Sequence, residues 1–385
     1  MTDRRPIVDL TDDEARRALI LKWGTVPDDV LPAWVAEMDY ALDPVVHEAV
    51  LQAVRDGVTG YPAFGSAAPE LGEAYAGFAA RHYGATVDPG WVMPVVDVTA
   101  GARLALDVLC EDAPVVFLMP GYAPQLDVAG LTGRRRVDVV LDPDATRAEI
   151  DLDQLEACFA QGARTLLLTQ PHNPWARVFS RAELEGIRDV VVRHGARVVS
   201  DEIHAPLVLP GAHHTSYLDL DGTHDHAVGL VAASKAFNTA GLRCAQLVVP
   251  SARDRAVLEA MPMARNDSWS PLGVVAAVAA YRDGDGWLAS LIERLDELRT
   301  QLIADLAEQL PLVRMRPWEA TYLVWLDARA YGHDDPAAVA LERGRVKLGP
   351  GHDYHPGLGG HVRLNAATSR QRLREIVSRL AAAWS

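Results

Sequence analysis

The sequence predicts an α/β protein built on a mainly parallel sheet. Three observations lead there. Short, continuous apolar runs recur through the middle of the chain, helix-like stretches lie between them, and each run stops at polar or Pro/Gly punctuation. Strand–helix–strand alternation of this kind is the pattern of α/β domains.

The runs are VVFLMPG (115–121), TLLLTQPHNP (165–174), ARVVSDE (196–202), AVGLVAASK (227–235) and AQLVVP (245–250). They lack polar alternation, which suits strands covered on both faces. Between them, DLDQLEACFAQG closes at Gly162. SRAELEGIRDVVVRHG opens with Ser180 and Glu183 at capping-box spacing and closes at Gly195.

After about residue 270 the pattern changes. SPLGVVAAVAAYRDG and the stretch 287–310 predict long helices. In the second, Leu288, Leu291, Leu295 and Leu298 recur at helical spacing with charges between them. A strand (TYLVWLD, 321–327), a helix (DPAAVALERG) and a closing strand–helix pair (HVRLNAA, SRQRLREIVSRLAAAW) follow. The expected division is an N-terminal segment, 1–42, packing with a smaller α+β C-terminal domain, 281–385, and a large domain, 43–280, between them. No internal repeat or low-complexity stretch is visible.

Composition narrows the function. The chain has 385 residues and is 49% hydrophobic, enough for a large core. Its net charge of -15 argues against nucleic acid, which needs a basic face. The basic run GRRRV (133–137), flanked by Asp138 and Asp142, reads as a solvated turn before a strand. Cys110, Cys158 and Cys244 are far apart and odd in number, so neither a disulfide framework nor a zinc site is expected, and a reducing, cytosolic setting fits. The polar, acidic N-terminus shows no signal-peptide core, and no run is long enough to predict a membrane span.

In a parallel sheet, ligands bind at the C-terminal strand ends, and nearby helix N-termini favour anions. Here those ends carry Tyr122, Asn173, Asp201, Ser234 and Lys235. Alone, Asp201 reads equally as a cap for the next turn, and Lys235 as a lysine reaching out from a strand terminus. Taken together they suggest pyridoxal phosphate, which needs a lysine amine for a Schiff base and a carboxylate on its pyridinium nitrogen. A desolvated lysine near cationic groups has a lowered pKa and acts as nucleophile and base near neutral pH.

With those residues in place, the chain resembles the fold-type I pyridoxal-phosphate enzymes of the class I/II aminotransferase superfamily. Within it, the chain is most similar to the MalY/PatB branch of cystathionine β-lyases, or C–S lyases. The resemblance runs nearly end to end: LKWG (21–24), LPAWVAEMDY (31–40), TGYPAFG (59–65), PGYAP (120–124), QPHNPWARVFSRAEL (170–184), VVSDEIHAPLVLPGAHHTSY (198–217), SKAFNTAGL (234–242) and VRLNAATSRQRLREIVSRL (362–380). The WVAEMD, DEIH and SK-x-FN-x-AGL blocks together are specific, and any one alone would be weak.

The resemblance implies roles for residues of this chain. Lys235 would hold the cofactor and later move the substrate's α-proton. Asp201 would pair with the pyridinium nitrogen, Asn173 would donate to the phenolate oxygen, and Tyr122 would stack on the ring. Ser234, Arg243 and the backbone at Val98 and Thr99 would hold the phosphate, with Tyr61 reaching it from the partner of a homodimer. His204, in DEIH, counts among the cofactor-binding residues. Arg363 would clamp the substrate carboxylate as a planar fork. Trp34 and Trp175 are candidate substrate contacts that read equally as fillers.

Two departures stand out. Asp97 replaces a usual glycine in the phosphate segment and is expected to point away from a phosphate it would repel. The usual NPTGRV is NPWARV, so Trp175 and Ala176 replace a small hydroxyl residue and glycine. The histidines at 204, 213, 214, 224 and 226 fit no metal-binding spacing, and no metal is expected.

The whole-chain resemblance implies β-elimination from a cysteine S-conjugate to thiol, pyruvate and ammonia. An aminotransferase acting on a small amino acid is the alternative, with a decarboxylating or a regulatory relative behind it. Fold and cofactor do not decide among these fates.

Overall fold

The structure is a computed structural model that describes residues 4–62 and 68–385. The last three residues of TGYPAFG, 63–65, lie outside the described residues. In chain order the elements begin with α1 (Asp12–Ala18), β1 (Leu31–Ala33), α2 (Pro44–Arg55), α3 (Pro69–Tyr83), β2 (Val92–Val95) and α4 (Val98–Leu109). Next come β3 (Val115–Met119), α5 (Ala123–Leu131), β4 (Arg136–Val140), α6 (Leu152–Ala160), β5 (Thr165–Thr169), α7 (Arg181–Arg193) and β6 (Arg197–Asp201). Then follow β7 (Ala227–Val231), β8 (Ala245–Val248), α8 (Ala252–Glu259), α9 (Pro271–Asp283) and α10 (Asp285–Gln309). The chain closes with β9 (Arg314–Met315), β10 (Leu323–Asp327), α11 (Pro336–Gly344), β11 (Val346–Pro350), β12 (His361–Asn365) and α12 (Arg370–Trp384).

The apolar runs form the centre of a seven-stranded sheet, in the order β2-β8-β7-β6-β5-β3-β4. Strands β4, β3, β5, β6 and β7 are mutually parallel. Only β8 is reversed, antiparallel to both β7 and β2. Every residue of β3, β7 and β8 is buried, as unbroken apolar runs require. The fold is thus the mainly parallel α/β architecture read from the sequence.

Local signals place the helices. Ser180 and Glu183 form the capping box of α7, and Asp151 caps α6 through the Gln154 amide. Helix α4 lies tightly over the sheet because Gly101 has no side chain; a Cβ there would sit 2.6 Å from Leu230 Cδ2. The basic run makes its turn before β4, but Arg134 is not solvated: it folds back onto the carbonyls of Cys110, Glu111 and Thr132.

The second sheet has the order β1-β11-β12-β10-β9. Its first strand comes from the N-terminal segment, with Leu31 opposite Val346. Leu288, Leu291, Leu295 and Leu298 of α10 are all buried, along with Leu302 and Leu306 one and two turns further on. Among the described residues, no helix is long and apolar enough to cross a membrane.

Candidate active site

The C-terminal ends of the parallel strands open onto a cavity of about 180 Å3. Tyr122 follows β3, Asn173 follows β5, Asp201 ends β6, and Ser234 and Lys235 follow β7; all five line the cavity. Because β8 is reversed, its N-terminal end faces the same way, so Arg243 joins them from before a strand. Val98 and Thr99, at the start of α4, close one wall, and His204 and Arg363 contribute to the lining.

Lys235 donates from Nζ to the carbonyl of Ala36 at 3.0 Å. Burial, then the Arg363 cation, lower its pKa to about 8. Asp201 accepts from the Ile203 amide at 3.1 Å and from Gln125 Nε2 at 2.8 Å. Burial still outweighs these bonds and raises its pKa to about 6. Gln125 was not read from the sequence. It lies inside α5, and only the packing of that helix brings it to Asp201.

Arg363 is buried on β12 and donates to Asn173 Oδ1 at 3.1 Å and to the Trp34 carbonyl at 2.8 Å. Its guanidinium lies 5.0 Å from the centre of the Tyr354 ring. With its oxygen used by Arg363, Asn173 keeps its Nδ2 donors for the cavity. His204 is buried with Nδ1 unpartnered, and burial followed by the Lys235 and Arg363 cations lowers its pKa to about 3.

Ala36 lines the cavity from a strap, residues 34–38, that is held by side chains from several elements. Tyr322 Oη joins Lys235 in donating to Ala36 O, at 3.0 Å. Asn365 donates to Val35 O and Glu37 O at 2.6 and 2.7 Å. Asn238 exchanges two bonds with Met38, and buried Lys22 donates to Glu37 O while pairing with Asp39.

Some expectations change. Asp97 does not point away: it lines the cavity and pairs with Arg243 at 2.9 Å. Neither tryptophan lines the cavity. Trp175 is buried in a core cluster with Leu118, Leu168 and Phe179, with Arg316 over its ring at 3.8 Å. Trp34 supplies only its carbonyl to Arg363, and its indole lies under Lys347 Nζ at 3.7 Å. Tyr61 is 93% exposed and lies outside this cavity. Among the described residues, no group of three or more His, Cys, Asp or Glu is placed to hold a metal.

The donor set fits pyridoxal phosphate. The Val98 and Thr99 amides belong to a first helical turn, where no helix carbonyl reaches them. With Ser234 and Arg243, which line the same cavity, they would cradle an anion, while Asp201 offers a carboxylate from another strand end and Arg363 keeps its Nε unpartnered. A strand-end lysine and carboxylate over a mainly parallel sheet, with an anion cradle beside them, define a fold-type I pyridoxal-phosphate-dependent enzyme. Residues 24–380 match the aminotransferase class I and II family, and the chain belongs to that family.

Similar proteins agree. The chain is 35% identical over 371 residues to the cystathionine β-lyase of Corynebacterium glutamicum, covering 96% of this chain and 98% of that one. It is 34% identical over 365 residues to the cystathionine β-lyase PatB of Bacillus subtilis (strain 168), covering 93% of each. A crystal structure from Corynebacterium diphtheriae, assigned as a pyridoxal-phosphate-dependent β-cystathionase, superposes with a TM-score of 0.92 at 33% identity, over 98% of both chains.

Proposed function

We propose that the protein cleaves the carbon–sulfur bond of a cysteine S-conjugate of the cystathionine type. With one water consumed, the products are a thiol, pyruvate and ammonia. The observation that carries this reading is the meeting of Lys235, Asp201 and Arg363 in one cavity of a chain whose relatives include cystathionine β-lyases. Bound there, pyridoxal phosphate supplies an electron sink for the substrate's α-carbon.

The chain's own residues then have distinct tasks. Lys235 Nζ would hold the cofactor and carry the substrate's α-proton; a pKa of about 8 suits it to both near neutrality. Asp201, kept in place by Gln125 and the Ile203 amide, would pair with the ring nitrogen. Asn173 Nδ2 would donate to the ring oxygen, and Tyr122 would cover the ring face. Ser234, Arg243 and the Val98 and Thr99 amides would hold the phosphate, and His204 would contribute to the cofactor's binding. Arg363, oriented by Asn173 and the Trp34 carbonyl, receives the substrate carboxylate as a two-donor fork.

We further propose a homodimer in which the exposed Tyr61 ring reaches the partner's phosphate site, and a division of each chain into residues 1–42, 43–280 and 281–385. The free thiols of Cys110, Cys158 and Cys244 fit a reducing, cytosolic setting.

The test is a panel of S-conjugates, cystathionine and S-alkyl cysteines among them, assayed for free thiol, pyruvate and ammonia together. Equimolar release is expected. If no conjugate yields thiol while an amino acid converts the cofactor to its amine form, the enzyme is an aminotransferase instead.

A further inference from the structure

Asp97 stands where the cavity gathers its anion-binding groups. It is the N-cap of α4, and its Oδ1 accepts from the Ala100 amide at 2.7 Å. Its Oδ2 pairs with Arg243 at 2.9 Å. Both side chains line the cavity together with Val98, Thr99 and Ser234.

The surroundings hold the Arg243 backbone and the Asp97 carboxylate in place. Arg243 has a left-handed backbone, φ 54°, and its carbonyl accepts from the Ser270 amide at 3.1 Å. Helix α9 presses on the same turn; a Cβ on Gly273 would lie 2.3 Å from Leu242 O. The Asp97 carboxylate is tied to the start of α4 whether or not Arg243 is near. It cannot swing out of the cavity without giving up the helix cap.

We propose that Asp97 is a built-in competitor for the phosphate of the cofactor. Paired with Arg243 and fixed by the helix cap, it stays beside the phosphate when one binds. Arg243 then divides its donors between two anions, and the carboxylate repels the phosphate dianion. The cofactor is therefore held more loosely than an uncharged residue at this position would allow, and it exchanges with the free pool. This rests on the cavity being the pyridoxal phosphate site. The side chains of Arg243 and Asp97 are 54% and 35% exposed, so solvent screens the effect. A change of about three- to tenfold in affinity is the expected scale.

Asp97→Asn is the informative variant, because asparagine caps a helix as well as aspartate and carries no charge. Apoprotein of each form is titrated with pyridoxal phosphate, following the visible band of the bound cofactor, and inorganic phosphate is titrated as a competitor. Asp97→Asn is expected to bind both about three- to tenfold more tightly, with slower cofactor release on dilution. Asp97→Ser, a second uncharged cap, should behave alike and serves if the first variant folds poorly. Unchanged or weaker cofactor binding in the variants overturns the inference alone, since the carboxylate would then be aligning Arg243 for the phosphate. No cofactor binding in either wild type or variant overturns the reading of the cavity, and this inference with it.

Discussion

Gln125 Nε2 donates to Asp201 Oδ2 at 2.8 Å, linking the first turn of α5 to the end of β6 in the lining of the cavity. Thr169, next to Asp201 across the β5–β6 register, donates to Gln125 Oε1 at 3.3 Å and sets the amide's orientation. The glutamine side chain thus favours the ionised carboxylate against burial, which pushes the other way.

Gln125→Leu should therefore weaken the site without opening a hole in it. A hydrogen bond to a buried charged group contributes about 1.5–3 kcal/mol, so a fall of about ten- to hundredfold in kcat/KM is expected. Cofactor affinity should fall as well. Steady-state kinetics and a cofactor titration of the same preparation check this, and wild-type values for both would refute it.

Lys235 gives a pH dependence. Its lowered pKa of about 8 leaves about a tenth of the amine neutral at pH 7. Only the neutral amine attacks an aldehyde, so cofactor capture by apoprotein should quicken about tenfold per pH unit below 8 and level off above it. Stopped-flow absorbance over pH 6–9 follows this directly. Arg363→Met removes a cation that lowers this pKa, and the plateau should then begin at higher pH. A rise that continues past pH 9 in wild type would contradict the assignment.

Arg363→Lys keeps the charge and loses the planar fork. Lysine cannot reach Asn173 Oδ1, the Trp34 carbonyl and a substrate carboxylate together. KM should rise by about ten- to hundredfold, while the visible spectrum of the bound cofactor stays as in wild type. An unchanged KM would place the substrate carboxylate elsewhere.

Trp175 separates packing from substrate contact. It is 2% exposed within the core, so Trp175→Ala should destabilise the protein by about 3–5 kcal/mol. The fraction that stays folded should keep its KM for every conjugate in the panel. Thermal melts and kinetics below the melting range decide this, and a substrate-dependent change in KM with normal stability would return Trp175 to the site.

How much of this was visible beforehand depended on the kind of signal. Lys235, Asp201, Asn173, Tyr122 and Ser234 were legible because apolar runs and their punctuation mark strand ends, and parallel strands send those ends to one side. Arg363 was not visible by that route, since it lies inside β12, the central strand of the second sheet, and not at a strand end of the first. Only the resemblance named it, and only packing supplied Asn173 and Trp34 as its partners. Gln125 gave no signal, because a helical glutamine looks like any other until its helix is docked. Asp97 was expected to turn away; the helix cap and Arg243 turn it inward.

By itself, then, the sequence determined the strands, the helix caps and the lysine–carboxylate pair, because those follow from local periodicity and residue chemistry. The tertiary structure decided what each charged side chain faces. The reversed β8 carries Arg243 to the cavity, the strap from the N-terminal segment puts the Ala36 carbonyl against Lys235, and the core takes Trp175. Those contacts join elements distant in sequence, and only packing selects them from the many that a local pattern permits.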